Sequence, residues 1–253
     1  MLKSIRQLLK TTLGASDGEI GHVKDFYFDD QSWAIRYLIA DTGSWLPKRK
    51  VLIAPHAFGD LYQSGKRLLV NLSRQQIENS PSIESHKPVS RQYEEEYYRY
   101  FNWPYYWQGD QLWGLSGVPI LETPPESLPS ESAAANVPKS APSDTHLRST
   151  LGVTGHHINA TGETVGHICD FLMDTQTWAI LYLVVKTGHR ISGNEVEIPA
   201  SSVDRINYDE STVFVNLTKE AVEQSQVHHL EPDIPVTPTD FADESNEPRN
   251  ERR

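Results

Sequence analysis

The feature that most constrains this chain is an internal repeat. Residues 21–43, GHVKDFYFDDQSWAIRYLIADTG, align without gaps with residues 166–188, GHICDFLMDTQTWAILYLVVKTG, at an offset of 145 (Gly166 against Gly21). Identities include Gly21/Gly166, His22/His167, Asp25/Asp170, Phe26/Phe171, Asp29/Asp174, Trp33/Trp178, Tyr37/Tyr182 and Gly43/Gly188. The match resumes at the same offset where Val70, Asn71, Leu72 and Ser73 are answered by Val215, Asn216, Leu217 and Thr218. Such a period marks two similar folding units of about 75 residues each. A unit that small buries only roughly 60% of the surface its unfolded chain exposes, so the copies are expected to pack together or to homodimerise.

The punctuation within each copy is that of antiparallel strands. Asp17-Gly18 and Thr161-Gly162 read as tight turns, because glycine accepts the positive φ that hairpin turns demand. In the first copy a strand is expected over about 19–29, a turn at Asp29-Asp30-Gln31, and a second strand, rich in β-branched and aromatic residues, from Trp33 to Ala40. Further strands are expected near Lys50–Ala54 and Arg67–Leu72, with a short helix after the cap residue Ser73. Short strands with closely spaced turns leave no room for the helical crossovers of a parallel sheet. The fold class is therefore all-β: two small barrels in tandem, a short helix after each, and a disordered linker between them.

Three strings recur in both copies: [IV]-G-x-[IV]-x-D at Ile20–Asp25 and Val165–Asp170, D-x-x-x-W-x-[IV]-x-Y-L at Asp29–Leu38 and Asp174–Leu183, and V-N-L-[ST]. Together they resemble the PRC-barrel family. That family takes its name from the cytoplasmic domain of the photosynthetic reaction-centre H subunit and includes the C-terminal domain of a ribosome maturation factor. The resemblance implies a six-stranded β-barrel that acts by contact and carries no catalytic residues. It also implies a partner in a membrane-associated or ribonucleoprotein assembly. The chain departs from both relatives, since it has neither the membrane helix of the one nor the extra N-terminal barrel of the other.

Composition sets the remaining layout. A first barrel spans 1–82, an aromatic-rich helix and turn 83–113, a linker 114–149, a second barrel 150–230 and an acidic tail 231–253. The linker and tail are rich in Pro, Ser and charge and are read as disordered. A net charge of −11 and a pI near 5.3 argue against direct DNA binding, which rests on cations that neutralise phosphates. Cys169 is the only cysteine, and the longest apolar run, Trp178–Val185, is far shorter than the roughly 18–20 residues a membrane span needs. A cytoplasmic protein with no transmembrane segment is expected. Leu2, Ile5, Leu8 and Leu9 at the start read as a short lead-in packing on the first barrel, or as a basic amphipathic surface helix.

The candidate site is the segment from Tyr93 to Trp113. Tyr93, Tyr97, Tyr100 and Phe101 fall at helical spacing ahead of Pro104, with Glu94–Glu96 expected on the opposite, solvated side. Trp103, Tyr105, Tyr106 and Trp107 follow. The segment either covers an open side of a barrel or forms a partner-binding surface, since Trp and Tyr are the usual interface anchors. The second copy has no equivalent.

Other constellations point away from chemistry. Asp25 with Asp29, and Asp170 with Asp174, lie four residues apart on a strand and hence roughly 13 Å apart, outside the range of about 5 to 9.5 Å used by paired glycosidase carboxylates. They are read as turn and strand-end residues. His22, His167 and the pairs His156-His157 and His228-His229 offer imidazoles but no convergent ligand set, so no metal or cofactor is expected. Trp33, Trp178, Tyr37 and Tyr182 are assigned to the core. The expected function is a non-catalytic protein-interaction or scaffold module with a protein partner. The alternative is a small-ligand or metal-binding regulator that uses a pocket between the barrels.

Overall fold

The computed structural model describes residues 1–46, 49–58, 67–82, 89–119, 146–188 and 194–228. The chain is all-β with short helices. In the first half β1 (Leu2–Ser4) leads into α1 (Ile5–Leu8), followed by β2 (Thr12–Ala15), β3 (Gly18–Asp29), β4 (Ile35–Asp41), β5 (Val51–Ile53), β6 (Arg67–Leu69), α2 (Arg74–Asn79) and α3 (Arg91–Phe101). In the second half β7 (Leu147–Ser149) leads into α4 (Thr150–Val153). Then come β8 (His157–Ala160), β9 (Glu163–Asp174), β10 (Ile180–Thr187), β11 (Glu195–Pro199), β12 (Val203–Asn207), β13 (Thr212–Val215) and α5 (Lys219–Glu223). The helices after each unit, α2 and α5, start at Ser73 and Thr218, whose side chains accept the amides of Gln76 and Ala221.

Two sheets form, ordered β5-β4-β3-β2-β6 and β11-β10-β9-β8-β13-β12. Their irregularities recur at the sequence offset. The β3/β4 register shifts between Val23 and Asp25 and between Tyr27 and Phe28. The β9/β10 register shifts at the matching points, where Ile168 and Asp170 face Val185 and Val184, and Leu172 and Met173 face Tyr182 and Ile180. Bulges bend and twist a strand, which curls each sheet around its own apolar interior of Leu13, Phe26, Leu38 and Ile53 or Ile158, Phe171, Leu183 and Ile198. Among the described residues no ladder joins the ends of either sheet, so each unit is a curled sheet whose strand order is open. Each also holds one parallel pair, β2 with β6 and β8 with β13, which alternation of apolar residues does not reveal because it carries no strand direction.

The two units are interlocked. β1 does not pair within the first sheet; it lies antiparallel on β9 of the second, with Lys3 opposite Met173. Reciprocally, β7 lies on β3, with Arg148 opposite Phe28. Each unit thus receives the opening strand of the other. The lead-in therefore packs on the second unit through β1 and α1, with Ile5 and Leu8 buried, and only its end, at Leu9, meets the first. Leu147–Ser149, placed in the linker by composition, are ordered by the same exchange. Residues 120–145 of the expected linker and the tail 231–253 lie outside the described residues. The packing partner that each small unit requires is supplied within the chain.

The exchange is secured by the repeated aspartates. Asp170 accepts Ser4 Oγ at 2.5 Å and the Arg6 amide at 2.9 Å. Asp25 accepts Ser149 Oγ at 2.5 Å, Thr150 Oγ1 at 2.9 Å and the Leu151 amide at 3.2 Å. Asp29 and Asp174 do turn work, accepting the amides of Gln31 and Ser32 and of Thr177. At the centre Ala34 bridges Ala179; the Ile35 amide donates to Trp178 O and the Ile180 amide to Trp33 O, both at 2.8 Å. Trp33 and Trp178 sit here in the left-handed region, at φ 57° and 58°. Trp178 is buried against Phe58 from the other half, at 5.1 Å between centroids. Tyr37 is fully buried, whereas Trp33 and Tyr182 keep part of their surface.

Candidate functional site

The Tyr93–Trp113 segment folds into a cap on the first unit. Ser90 starts α3 by accepting the Tyr93 amide, and Asn102, at φ 53°, ends it. The helix is fastened to β5 through Tyr97, whose hydroxyl donates to Leu52 O at 3.0 Å and accepts the Ala54 amide at 3.2 Å. Tyr37 meets the Tyr97 ring edge-on at 5.5 Å. Beyond Asn102 the chain doubles back so that Tyr106 and Trp113 are also buried. Trp113 Nε1 donates to Thr177 O at 2.7 Å, which ties the cap to the turn before β10 in the second half.

Between helix and returning loop lies a polar cluster that the sequence reading missed. Glu94, expected on the solvated side of α3, is fully buried because Tyr106 and His146 close over it. Its Oε1 accepts Tyr106 Oη at 2.7 Å and Tyr37 Oη at 3.1 Å. Its Oε2 lies 3.0 Å from Arg91 and 3.2 Å from His146 Nε2. Burial opposes charge on His146, but the hydrogen bond and charge of Glu94 outweigh it and raise the imidazole pKa. Burial pushes the Tyr106 and Tyr37 hydroxyls far up, with the Glu94 charge adding to it.

A second buried group is cationic. Arg36, 3% exposed, lies 3.9 Å over the Tyr106 ring and donates to Leu112 O at 2.7 Å. His56 is caged beside it, stacked on Trp103 and edge-on to Tyr98 and Trp113. Burial, then the Arg36 charge, lowers its pKa to about 4, so it is neutral near pH 7. Glu94, Arg36, His56, Tyr98 and His146 carried no motif; the only sequence signal was that Glu94 and Tyr98 stand four apart inside an aromatic run.

Of the eight anchors expected from the sequence, Tyr97 and Tyr106 are interior. Tyr93, Tyr100, Phe101, Trp103, Tyr105 and Trp107 keep accessible surface, Tyr100 most of all at 42%. They form two stacked pairs, Phe101 on Trp103 at 4.6 Å and Tyr105 on Trp107 at 4.7 Å. Arg91 lies 4.3 Å over the Trp107 ring. The segment is therefore both a cover for the first unit and a partly open aromatic surface.

The histidines do not gather. His22 and His157 are exposed, His228 is held by Glu197 at 2.8 Å, and His156 packs edge-on to Tyr208. Among the described residues no three His, Cys, Asp or Glu side chains converge as a metal site would require. Burial, then the Glu195 charge, pushes the Cys169 thiol up to about 12, the opposite of an activated nucleophile. Among the described residues no helix is long and apolar enough to cross a membrane.

Fold and site together define a small β-sheet module whose first unit carries an aromatic cap. Residues 158–222 match the family model of the PRC-barrel domain, so the chain carries a PRC-barrel domain over β8–β13 and most of α5. The matched stretch begins after β7 and α4, the segment given to the other unit. No curated protein matches the chain.

Proposed function

We propose that the chain is a non-catalytic interaction module built from two PRC-barrel units, and that a protein partner docks on the aromatic cap of the first. The observation that carries this reading is the cap's asymmetry. It occurs on one unit only, and Tyr100, Phe101, Trp103, Tyr105 and Trp107 keep accessible faces in a rigid, mutually stacked arrangement. Rigid aromatics bind with little loss of side-chain entropy, which is why such residues dominate interface energetics. Asp25 and Asp170 are engaged in holding exchanged strands and Asp29 and Asp174 in turns, which supports a structural role over a hydrolytic one. A cytoplasmic setting fits the lone thiol of Cys169. The partner's assembly, membrane-associated or ribonucleoprotein, is to be found by experiment.

The test is photo-crosslinking from position 100 with a benzophenone amino acid in native lysate, with nuclease present. A discrete cross-linked protein that disappears in Tyr105→Ala, with circular dichroism unchanged, is the expected result. A cross-link pattern indifferent to Tyr105→Ala, or no cross-link, overturns the assignment of this surface.

A further inference from the structure

We infer that the chain holds a second site, a cleft of about 1030 Å³ at one corner of the first unit, which binds a small amphipathic anion: a short hydrocarbon or aromatic body with a carboxylate head. The cleft lies where both exchanged segments meet the sheet. Leu9 comes from the end of α1, Leu151 from α4 of the other half, and Ile20, Val23 and Trp45 from β3 and the turn after β4. Lys10, His22 and Lys24 stand at its rim. It is an open cleft, and its lining combines apolar walls with a few polar groups as small-ligand sites do.

Lys10 points most directly to a ligand. It occupies the left-handed region at φ 66°, a conformation that side chains with a Cβ adopt at a cost. The position 145 residues later is Gly155, at φ 91°, the residue such a backbone favours. The fold thus accepts strain at Lys10 that its other half avoids, and strain of this kind in a cleft points to use of the side chain. Two neighbouring carboxylates are already engaged, Asp41 with Lys24 at 3.9 Å and Glu19 with Arg67 at 3.5 Å. The Lys10 ammonium makes no ion pair among the described residues, which leaves it for an external anion.

Comparison of the two halves supports a built wall. Leu9, Lys24 and Leu151 correspond in sequence to Thr154, Cys169 and Arg6. At the second corner Arg6 is held by Glu195 at 3.3 Å and Asp170 at 3.7 Å, whereas Leu151 at the first is 47% exposed, apolar and without such ties. Apolar side chains exposed beside an unpaired cation match an amphiphile, and the two properties call for one ligand carrying both.

The site uses none of the cap residues, so its failure leaves the cap proposal standing. The experiment is a titration of the full ¹⁵N-labelled chain with octanoate, alongside octanol for the body alone and acetate for the head alone. Saturable shifts confined to residues 9–10, 20–24, 42–45 and 151 are expected with octanoate. Lys10→Gly installs the residue of the other half and relieves strain, so it folds; it should weaken octanoate by about tenfold and leave octanol unchanged. Leu151→Ser, at a half-exposed position, should weaken both. Shifts that do not saturate, octanol binding as well as octanoate, or octanoate affinity untouched by Lys10→Gly would each overturn the inference.

Discussion

Replacing Asp170 with alanine isolates the claim that the halves exchange their opening strands. The carboxylate is 2% exposed, accepts Ser4 Oγ at 2.5 Å, the Arg6 amide at 2.9 Å and its neighbour's Phe171 amide at 2.8 Å. Arg6 Nε lies 3.7 Å away. Hydrogen bonds to an ionised acceptor contribute about 1.5–3 kcal/mol each, and stranding a buried donor costs about 1–3 kcal/mol. The Arg6 ion pair adds little, since the Arg6 side chain is 40% exposed. Two of the three bonds hold the other half's chain, so Asp170→Ala should destabilise by about 3–5 kcal/mol, and Asp170→Asn, which keeps one acceptor oxygen, by about half of that. Urea denaturation gives the magnitude, and amide hydrogen exchange gives the location. Protection should fall over residues 2–8, more than a hundred and sixty residues away in sequence. A loss below about 1 kcal/mol, or exchange that rises only around residues 169–172, would refute the strand exchange.

The other predictions concern the junction and the buried histidines. Trp178→Ala removes a ring that is 3% exposed and packed on Phe58, and should cost about 3–5 kcal/mol by thermal or urea unfolding; a change below about 0.5 kcal/mol would place the residue outside the core. His56 has a folded pKa near 4 against 6.5 for the free group, so the unfolded chain takes up its proton first. Stability from this site is present above pH ~6.5 and lost as pH falls toward ~4, about 3 kcal/mol in all, then levels off, as a urea series across pH would show. His146 has the opposite sign. Its folded pKa is raised by Glu94, so its contribution is complete below pH ~6.5 and is lost as pH rises through the folded value. Hydrogen exchange in residues 146–149 should therefore quicken with alkalinity beyond the intrinsic rate, and His146→Gln should remove that extra dependence.

The strands were legible because each copy spells them with the same turn residues and apolar alternation. Asp29 and Trp33 bracket a turn whose geometry is set within five residues, and the same is true of Asp174 and Trp178. The exchange was not legible, because Leu2, Lys3 and Ser4 would satisfy either β3 or β9 equally well: the two acceptors Asp25 and Asp170 stand in the same local sequence. The Glu94 cluster was hidden for a related reason. Helical periodicity counts one apolar face, whereas α3 is covered on a second side by the returning loop that carries Tyr106, and a carboxylate there is buried with donors drawn from β4, from α3 itself and from the residue before β7.

Several differences between the halves fall at the positions of the first unit that receive the cap. The bulge residue of β4 is Arg36, sealed beneath Tyr106 and Trp113; its counterpart on β10 is Leu181, 43% exposed. Leu52 and His56, which receive Tyr97 and Trp103, correspond to Glu197 and Ser201. The cleft differs between the halves as well, with Lys10 and Leu151 where the other half has Gly155 and Arg6. A unit that keeps the shared pattern can serve as a frame for one that departs from it, provided the two cannot separate. The exchanged strands, the Ala34–Ala179 bridge and the Trp113 bond to Thr177 meet that condition, because displacing the cap or the lead-in from one half disturbs hydrogen bonds made by the other. If the proposed cap and cleft bind as argued, a ligand that favours the docked position of α1 or α4 would stabilise both units, and one that displaces either segment would weaken both.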